Sequence, residues 1–227
     1  MKILVINPNT TSSMTDKIAT AARAIARHDT EIVATSSKDG PASIQGFLDV
    51  ATCVPGLLEE VARHPDVDAI VIACFDDTGL DAVRTLVSVP VLGIGEAAYH
   101  AASMIANKFS VITTLSRSVP GLENNLMRYG LAQKCVRVRA TEIPVLKLEE
   151  GDPATLDNIR SEIRAAIEQD SAEAIVLGCA GMADLMASLS DEFGLPVIDG
   201  VAAGVTFAEA LVNNGLSTSK IGAYSSN

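Results

Sequence analysis

One apolar segment occurs twice in this chain, and it constrains the fold more than any other feature of the sequence. The first copy, AIVIAC, ends at Cys74, and the second, AIVLGC, ends at Cys179. Each copy is a continuous apolar run of strand length that is followed by small and polar residues, which is typical of a parallel strand buried on both faces. The sequence therefore predicts two buried parallel strands, each ending at a cysteine.

The repetition extends beyond these two strands. Pro90 follows Cys74 by 16 residues, and Pro196 follows Cys179 by 17. Upstream, the segments KILVINPNTT and FSVITTLSRS are each a strand, then a turn rich in Thr, Ser and Asn, then a helical pattern. The chain is thus predicted to consist of two related halves with one cysteine at the same place in each. If the halves face each other across a pseudo-twofold axis, the two thiols also face each other.

Strands alternate with helical patterns through both halves, which predicts an α/β fold. We expect two pseudo-symmetric lobes, each a mainly parallel sheet flanked by helices, with the active site between them. The lobes are predicted at residues 1–95 and 107–200 of a single domain that spans 1–227, because no linker composition separates them. The C-terminal helix, expected at 202–213, is predicted to pack back on the first lobe.

Local signals predict where several helices begin. A Ser or Thr three positions before an acidic residue has the spacing of a capping box, and proline is favoured in the first helical turn. The predicted starts are Ser13 with Asp16, a start or kink near Pro55, Thr78 with Asp81, and Asp152 with Pro153.

The composition limits the kinds of partner that the chain can have. The 227 residues carry a formal net charge of -11, whereas phosphate binding requires clustered Lys and Arg, so nucleic acid and anionic membranes are disfavoured as partners. The four cysteines lack CxxC spacing and the three histidines form no metal-binding pattern, so no metal is predicted. A small molecule is the expected ligand.

The N-terminal segment MKILVIN enters a strand after one lysine and is interrupted by Pro8, so it is too short for a signal peptide or a membrane span. We therefore expect a cytoplasmic protein with reduced thiols. The segment GIGEAA lacks the third glycine of a dinucleotide-binding loop, and close packing is the favoured explanation of Gly93 and Gly95. No cofactor is predicted.

Polar or reactive groups follow four of the predicted strands, in the segments NPNT, CFDD, TTLSRS and CAGM. Ligands of α/β sheets bind outside the carboxyl ends of the strands, so these four segments are expected to open on one crevice. The loop at 36–46 is rich in Gly, Ser and Pro. It either covers this crevice or lies in solvent, and the sequence leaves both interpretations open.

The two repeated cysteines are the strongest candidates for chemistry. A lone cysteine at the end of a buried strand usually packs as a small hydrophobe. Two at equivalent positions of a repeat, Cys74 and Cys179, each at a strand-to-helix junction, favour a chemical role, because the N–H groups and dipole of a helix N-terminus stabilise a thiolate. Cys53 and Cys135 are not paired in this way and are predicted to be structural.

Two aspartates, Asp76 and Asp77, lie directly downstream of Cys74. Carboxylates so close to the thiol are expected to raise its pKa. Their predicted role is to cap the helix that starts at Thr78. The alternative, which also stays open, is that one of them orients an N–H group of a substrate.

Taken together, these segments resemble the Asp/Glu/hydantoin racemase superfamily over essentially the whole chain. The similar segments are NPNT at Asn7, CFDDTGLDA at Cys74, PVLGIGEA at Pro90, TTLSRSVP at Thr113, GCAGM at Gly178 and, as in hydantoin racemases, PASIQG at Pro41 and RYG at Arg128. The resemblance implies two similar α/β lobes, a cofactor-free active site between them and a homo-oligomer.

The residues after the cysteines bear on the substrate. Amino-acid racemases of this superfamily typically carry CNT and CTH at the two cysteines, where this chain has CFD and CAG. A 5-monosubstituted hydantoin is therefore the expected substrate, with allantoin, itself such a hydantoin, and free aspartate or glutamate as alternatives. A non-catalytic binding protein and a single-cysteine decarboxylase or isomerase also stay open, although the last two need only one active-site cysteine.

The mechanism that the resemblance implies is a two-base 1,1-proton transfer at C5 of the ring. One of Cys74 and Cys179 takes the proton as a thiolate, and the other returns a proton as a thiol from the opposite face. Asn9 and Thr114 are expected to hydrogen-bond the ring, with helix capping as their alternative role. The backbone N–H groups expected to stabilise the enolate oxygen are those of Phe75, Asp76, Ala180 and Gly181.

Overall fold

The computed structural model describes residues 1–150 and 152–225. The first half contains β1 (Lys2–Asn7), α1 (Ser12–Ile25), β2 (Glu31–Ser36), α2 (Phe47–Ala62), β3 (Ala69–Ile72), α3 (Leu80–Leu86), β4 (Val91–Gly93) and α4 (Ile94–Ile105). The second half contains β5 (Phe109–Thr113), α5 (Val119–Arg128), β6 (Cys135–Ala140), α6 (Pro153–Glu168), β7 (Ala174–Leu177), α7 (Met186–Phe193), β8 (Val197–Asp199) and α8 (Gly200–Asn213). In these ranges no helix is long and apolar enough to span a membrane.

The strands form two four-stranded parallel sheets with the same topology. Their orders are β2-β1-β3-β4 and β6-β5-β7-β8, so each strand of the first half has a counterpart in the second. Every residue of β3 and β7 is buried, because both strands lie inside a sheet with helices on its faces. The predicted α/β fold with two pseudo-symmetric lobes is confirmed. The predicted single domain also includes residues 151, 226 and 227, which lie outside the described residues.

The last helix, α8, packs against α1 and α4 and lies over β3. Small residues on one side of α8 permit this close approach. A Cβ atom on Gly204 would lie 2.9 Å from Cγ1 of Val71, and one on Gly200 would lie 2.6 Å from the carbonyl oxygen of Ile94. The end of the chain thus closes the hydrophobic core over the strand that leads to Cys74.

Of the predicted helix starts, the one at Asp152 and Pro153 is confirmed, those at Ser13 and Thr78 lie within two residues of the observed starts but lack the predicted caps, and α2 does not start at Pro55. Helix α1 is preceded by Thr11 as its N-cap, helix α2 begins at Phe47 and contains Pro55 in its interior, and helix α3 begins at Leu80 after Gly79 in a left-handed conformation. None of these three N-caps makes a side-chain cap hydrogen bond. Asp152 does cap α6, where its side chain accepts a hydrogen bond from the Ala154 N–H at 3.2 Å.

Replacing Gly204 by valine tests the packing of α8 on the first sheet. We expect Gly204→Val to lower the free energy of unfolding by about 1–3 kcal/mol, because the added methyl groups overlap Val71. Thr206→Val, at an exposed position of the same helix, serves as the control and should change that free energy by less than about 0.5 kcal/mol. Urea unfolding measures both, and equal effects would contradict the predicted close contact.

Candidate active site

A small cavity lies between the two sheets, at the carboxyl ends of their strands. It is lined by segments that follow β1, β3, β5 and β7, which are the four strand ends predicted to share a crevice. Its lining residues are Asn9, Met14, Ile44, Ala73, Cys74, Phe75, Asp76, Thr113, Thr114, Ser118, Val145, Gly178, Cys179 and Ala180. Polar groups of both halves therefore face one enclosed space.

Of the residues predicted for the site, all but Gly181 line this cavity. Gly181 is buried behind the lining, where a Cβ atom would lie 3.6 Å from Sγ of Cys179 and 3.3 Å from Leu148. The cavity also includes Met14, Ile44 and Val145, which the sequence analysis did not identify. They are apolar residues outside the strand ends, and only the position of Ile44 in the loop at 36–46 gave a signal.

Cys74 does not lie at a helix N-terminus. A turn at 75–79 separates it from α3, because Asp77 and Gly79 adopt positive φ angles of 52° and 72°. Its thiol is 9% exposed and accepts a hydrogen bond from the Thr78 hydroxyl at 3.6 Å. The expectation that a helix dipole stabilises a thiolate at Cys74 is therefore wrong.

The surroundings of Cys74 instead favour the neutral thiol. Burial, and then the nearby charge of Asp76, raise the pKa of Cys74 well above its usual range. The thiol lies 3.9 Å from Oδ2 of Asp76, to which it donates a weak hydrogen bond. In the resting protein Cys74 consequently carries its proton, and its thiolate, once formed, is a strong base.

Cys179 has a different local structure. It is the residue before a short 3₁₀ turn, Ala180–Leu185, which leads directly into α7. Its backbone is extended, with φ of -158° and ψ of 135°, and its carbonyl oxygen accepts a hydrogen bond from the Met182 N–H. The residue is 8% exposed and lines the same cavity as Cys74. The two halves therefore place equivalent thiols in unequal environments.

The side chain of Asn9 is oriented by its neighbours. Its Oδ1 accepts hydrogen bonds from Nδ2 of Asn7 and from the Thr11 N–H, both at 2.9 Å. Its Nδ2 is left with the sulfur of Met14 at 3.3 Å, which is a weak acceptor that also lines the cavity. Asn9 can therefore donate an N–H to a ligand.

The equivalent turn of the second half provides hydroxyl groups. Thr114 is 3% exposed, and its hydroxyl makes no hydrogen bond to another described residue. Ser118, which closes the short turn before α5, also contributes a hydroxyl without a partner among the described residues. Thr113 differs, because its hydroxyl donates to the carbonyl oxygen of Gly178 at 3.2 Å. Two hydroxyls on this wall of the cavity are thus available to a ligand.

Neither Asp76 nor Asp77 caps α3, so that prediction is wrong. The Asp77 carboxylate accepts hydrogen bonds from the N–H groups of Gly95 and Glu96, at 2.8 and 2.7 Å, and thereby caps α4. It also accepts one from the hydroxyl of Tyr129 at 2.8 Å. Because Tyr129 directly follows α5, this carboxylate joins the turn that carries Cys74 to the second half of the chain.

This arrangement explains the two glycines at the start of α4. A Cβ atom on Gly93 would lie 2.0 Å from Oδ1 of Asp77, and one on Gly95 would lie 2.8 Å from its Oδ2. Any side chain at either position would displace the carboxylate. Close packing, which the sequence favoured over a dinucleotide-binding loop, is therefore the role that the structure gives both glycines. Burial raises the pKa of Asp77 to about 7.

Two loops cover the cavity from opposite halves. The loop at 36–46 places Ile44 in the lining, and Oε1 of its Gln45 accepts a hydrogen bond from the N–H of Val145 at 3.0 Å. The same loop is anchored to the first strand end, because its Pro41 carbonyl accepts a hydrogen bond from the Thr10 N–H at 3.1 Å. Of the two interpretations that the sequence left open, the structure supports the cover.

The free space between these walls is small. Its volume is about 30 Å³. The walls come from both halves of the chain, and the hydrogen bond between Gln45 and Val145 joins the two covering loops.

The two remaining cysteines do not line the cavity, although Cys53 packs beside Cys74. Cys53 is fully buried in a small cluster with Ile44 and Cys74, and Cys135 is half-buried at the start of β6. All four cysteines fall within the described residues and none forms a disulfide. Across residues 1–150 and 152–225 no group of three or more His, Cys, Asp or Glu side chains could hold a metal ion.

The hydroxyl of Tyr129 provides a test of the Asp77 junction. Tyr129→Phe should lower the free energy of unfolding by about 1–3 kcal/mol, because it leaves a buried carboxylate without one of its donors. Tyr224→Phe is the matched control, since that hydroxyl donates to the half-exposed Asp81 at 2.9 Å and should contribute less than about 0.5 kcal/mol.

Amide hydrogen exchange gives a local measurement of the same change. Exchange over the turn at 75–79 should accelerate in Tyr129→Phe and stay unchanged in Tyr224→Phe. Unchanged exchange in both variants would show that the junction does not hold the Cys74 turn in place.

Comparison with known proteins agrees with the geometry. The family model described as Asp/Glu/Hydantoin racemase matches residues 3–208. A hydantoin racemase of Pseudomonas sp. (strain NS671) is 48% identical over 99% of this chain and 91% of its own. Allantoin racemase from Klebsiella pneumoniae superposes with a TM-score of 0.97 at 44% identity, covering 100% of this chain and 94% of the other. That from Pseudomonas fluorescens gives 0.96 at 42%, covering 100% and 97%. This chain therefore belongs to the Asp/Glu/hydantoin racemase family.

Proposed function

We propose that this protein is a cofactor-independent racemase of 5-monosubstituted hydantoins that transfers protons at C5 between Cys74 and Cys179. The observation that carries the proposal is that the two cysteines, at the ends of the equivalent strands β3 and β7, line one cavity. The 48% identity to a hydantoin racemase over nearly the whole of both chains supports the substrate class.

The proposed reaction needs two groups on opposite faces of C5. One cysteine, as a thiolate, takes the C5 proton, so that the C5–H bond breaks and its electron pair spreads onto the C4 carbonyl as an enolate. The other cysteine, as a thiol, then donates its proton to the opposite face of C5. Burial favours the protonated form of Cys74, which suits this thiol to deliver a proton. Turnover of the other enantiomer uses the reversed protonation state.

The enolate requires hydrogen-bond donors at its oxygen. Within the cavity, we propose Nδ2 of Asn9 and the hydroxyl of Thr114 as ring contacts, since neither has a strong partner in the protein. The backbone N–H groups of Phe75, Asp76 and Ala180 are further proposed donors on the cavity wall. Gly181 adjoins this group but lies behind the lining, so its N–H is the weakest candidate of the set.

Allantoin is the second candidate substrate. The 44% identity and TM-score of 0.97 to an allantoin racemase favour it, since the likeness covers the whole of this chain. Free aspartate or glutamate is less favoured, because the residues after both cysteines depart from the amino-acid racemase pattern. By family resemblance we further propose a cytoplasmic homo-oligomer that acts on a small molecule and not on nucleic acid.

A racemisation panel tests the substrate and the need for a cofactor together. The protein is first dialysed exhaustively against EDTA. Without added metal ion or cofactor it should then abolish the optical rotation of at least one of benzylhydantoin, isopropylhydantoin and allantoin, because the proposed acid and base are both side chains. Polarimetry measures the rate. Activity that returned only on addition of a metal ion or a cofactor would contradict the two-thiol mechanism, and inactivity on all three compounds would favour a binding protein.

Single replacements of the two cysteines test their roles. Cys74→Ser and Cys179→Ser should each slow racemisation by about 10²–10⁴-fold, because a serine hydroxyl is a poor acid and base at neutral pH. The intact cysteine of each variant can still remove its own enantiomer's proton. In deuterium oxide each variant should therefore exchange the C5 proton of one enantiomer without inverting it, and the two variants should select opposite enantiomers, as followed by NMR.

Cys135→Ser is the control for these variants, because that thiol lies outside the cavity lining and outside the cluster around Cys74. It should racemise at close to the wild-type rate, and spontaneous exchange of the hydantoin must be subtracted throughout. Exchange of the same enantiomer by both active-site variants would disprove the assignment of one cysteine to each face.

A further inference from the structure

Apart from its own backbone N–H, the Asp76 carboxylate has no strong hydrogen-bond partner among the described residues. Its only side-chain contact among the described residues is the weak donor Cys74, whose Sγ lies 3.9 Å from Oδ2. No lysine, arginine or histidine of the described chain pairs with it. Asp76 nevertheless lines the cavity, where a carboxylate that is removed from water requires donors.

Its neighbour Asp77 shows what a structural carboxylate looks like in the same turn. Asp77 accepts three hydrogen bonds from N–H and O–H donors and has no place in the cavity lining. The backbone of Asp76 is also held, because its carbonyl oxygen accepts a hydrogen bond from Nδ2 of Asn125 at 2.8 Å. The turn is therefore fixed at both aspartates, while only the Asp76 carboxylate is left to face a ligand.

The helix that approaches this carboxylate leaves room for it. Gly121, in the first turn of α5, lies close enough that a Cβ atom there would be 3.3 Å from Oδ1 of Asp76. The glycine supplies no side-chain donor, and its N–H makes no hydrogen bond to the carboxylate. Oδ2 of Asp76 thus lies beside Cys74 and Oδ1 lies beside α5, and neither oxygen accepts a hydrogen bond from an N–H or O–H group of another described residue.

The chemistry of the ring identifies the group that Asp76 suits. C5 of a hydantoin is bonded to two ring atoms, C4 with its carbonyl and N1 with its hydrogen. When C5 lies against Cys74, a carboxylate next to that thiol faces one of these edges or the substituent at C5, and an alkyl or aryl substituent offers it no donor. The C4 edge gains negative charge as the enolate forms, and a second negative charge there opposes the reaction. The N1–H edge offers a donor and gains no such charge.

We propose that the Asp76 carboxylate accepts a hydrogen bond from N1–H and so orients the ring, with its C4 carbonyl turned toward Asn9 and Thr114. This role rests on the proposed function and adds to it a residue that determines specificity. The site would then reject rings that lack a donor at position 1. The preference applies whatever the substituent at C5.

Oxazolidine-2,4-diones provide the probe, because a ring oxygen replaces N1–H with little change in shape, and the rates are compared for the neutral form of each ring. The experiment follows C5 deuterium exchange of 5-isopropylhydantoin and 5-isopropyl-oxazolidine-2,4-dione, each divided by its uncatalysed rate in the same buffer. Wild-type protein should favour the hydantoin by about 10- to 100-fold in normalised kcat/KM, because the dione sets an ether oxygen against the carboxylate. In Asp76→Ala the ratio should fall to within about 3-fold.

Two further variants separate hydrogen bonding from folding and net charge. Asp76→Asn keeps the shape of the side chain, and its amide can turn its NH₂ toward the ring oxygen, so the ratio should shift toward the dione even if the alanine variant fails to fold. Asp39→Asn removes an exposed negative charge from the covering loop and should leave the ratio at the wild-type value.

The outcomes separate this inference from the proposed function. Exchange of both rings at equal normalised rates by wild-type protein would overturn the role of Asp76 alone. Equal losses on both rings in a folded Asp76→Ala protein would do the same, since they would place the carboxylate on Cys74 instead of on N1–H. Absence of exchange with either ring would overturn the proposed function, and this inference with it.

Discussion

The Asp77 carboxylate holds together the part of the structure on which the site depends. It caps α4, fixes the turn that carries Cys74, and accepts a hydrogen bond from Tyr129 of the second half. In the second half, the counterparts of β4 and α4 are β8 and α8. Asp199 caps α8 by accepting hydrogen bonds from the N–H groups of Val201 and Ala202. The first half has Gly93 at that place, so a carboxylate from another element performs the same task and links the lobes.

This difference makes the two halves unequal in chemistry although they are alike in fold. Cys74 directly precedes a turn that contains two acidic residues, and burial together with the charge of Asp76 raises the pKa of Cys74. Cys179 leads directly into a helical segment that begins with small residues. A pseudo-symmetric pair of thiols is therefore held by different local backbone structures.

The fold could be predicted from the sequence because its signal is repeated and local, as the doubled apolar runs of β3 and β7 show. The caps could not, because Thr78 and Asp81 match a capping pattern while Thr78 actually contacts Cys74 and Asp81 pairs with Arg128. Most of the cavity lining could be predicted from the strand ends. A helix dipole at Cys74 was wrongly expected, because Asp77 and Gly79 form a turn and α3 begins only at Leu80. Ile44 and Val145 could not be predicted as lining residues, because their two segments are far apart in the sequence and meet only in the folded protein.

The closed cavity and the raised thiol pKa serve the same end. Burial raises the pKa of a thiol, so the thiolate formed from it is a stronger base toward a carbon acid. Exposure to water would lower that strength and would weaken the hydrogen bonds to the enolate. The hydrogen bond between Gln45 and Val145 joins the two loops that cover the cavity. For the proposed reaction this cover matters, since excluding water from a thiolate keeps it a stronger base.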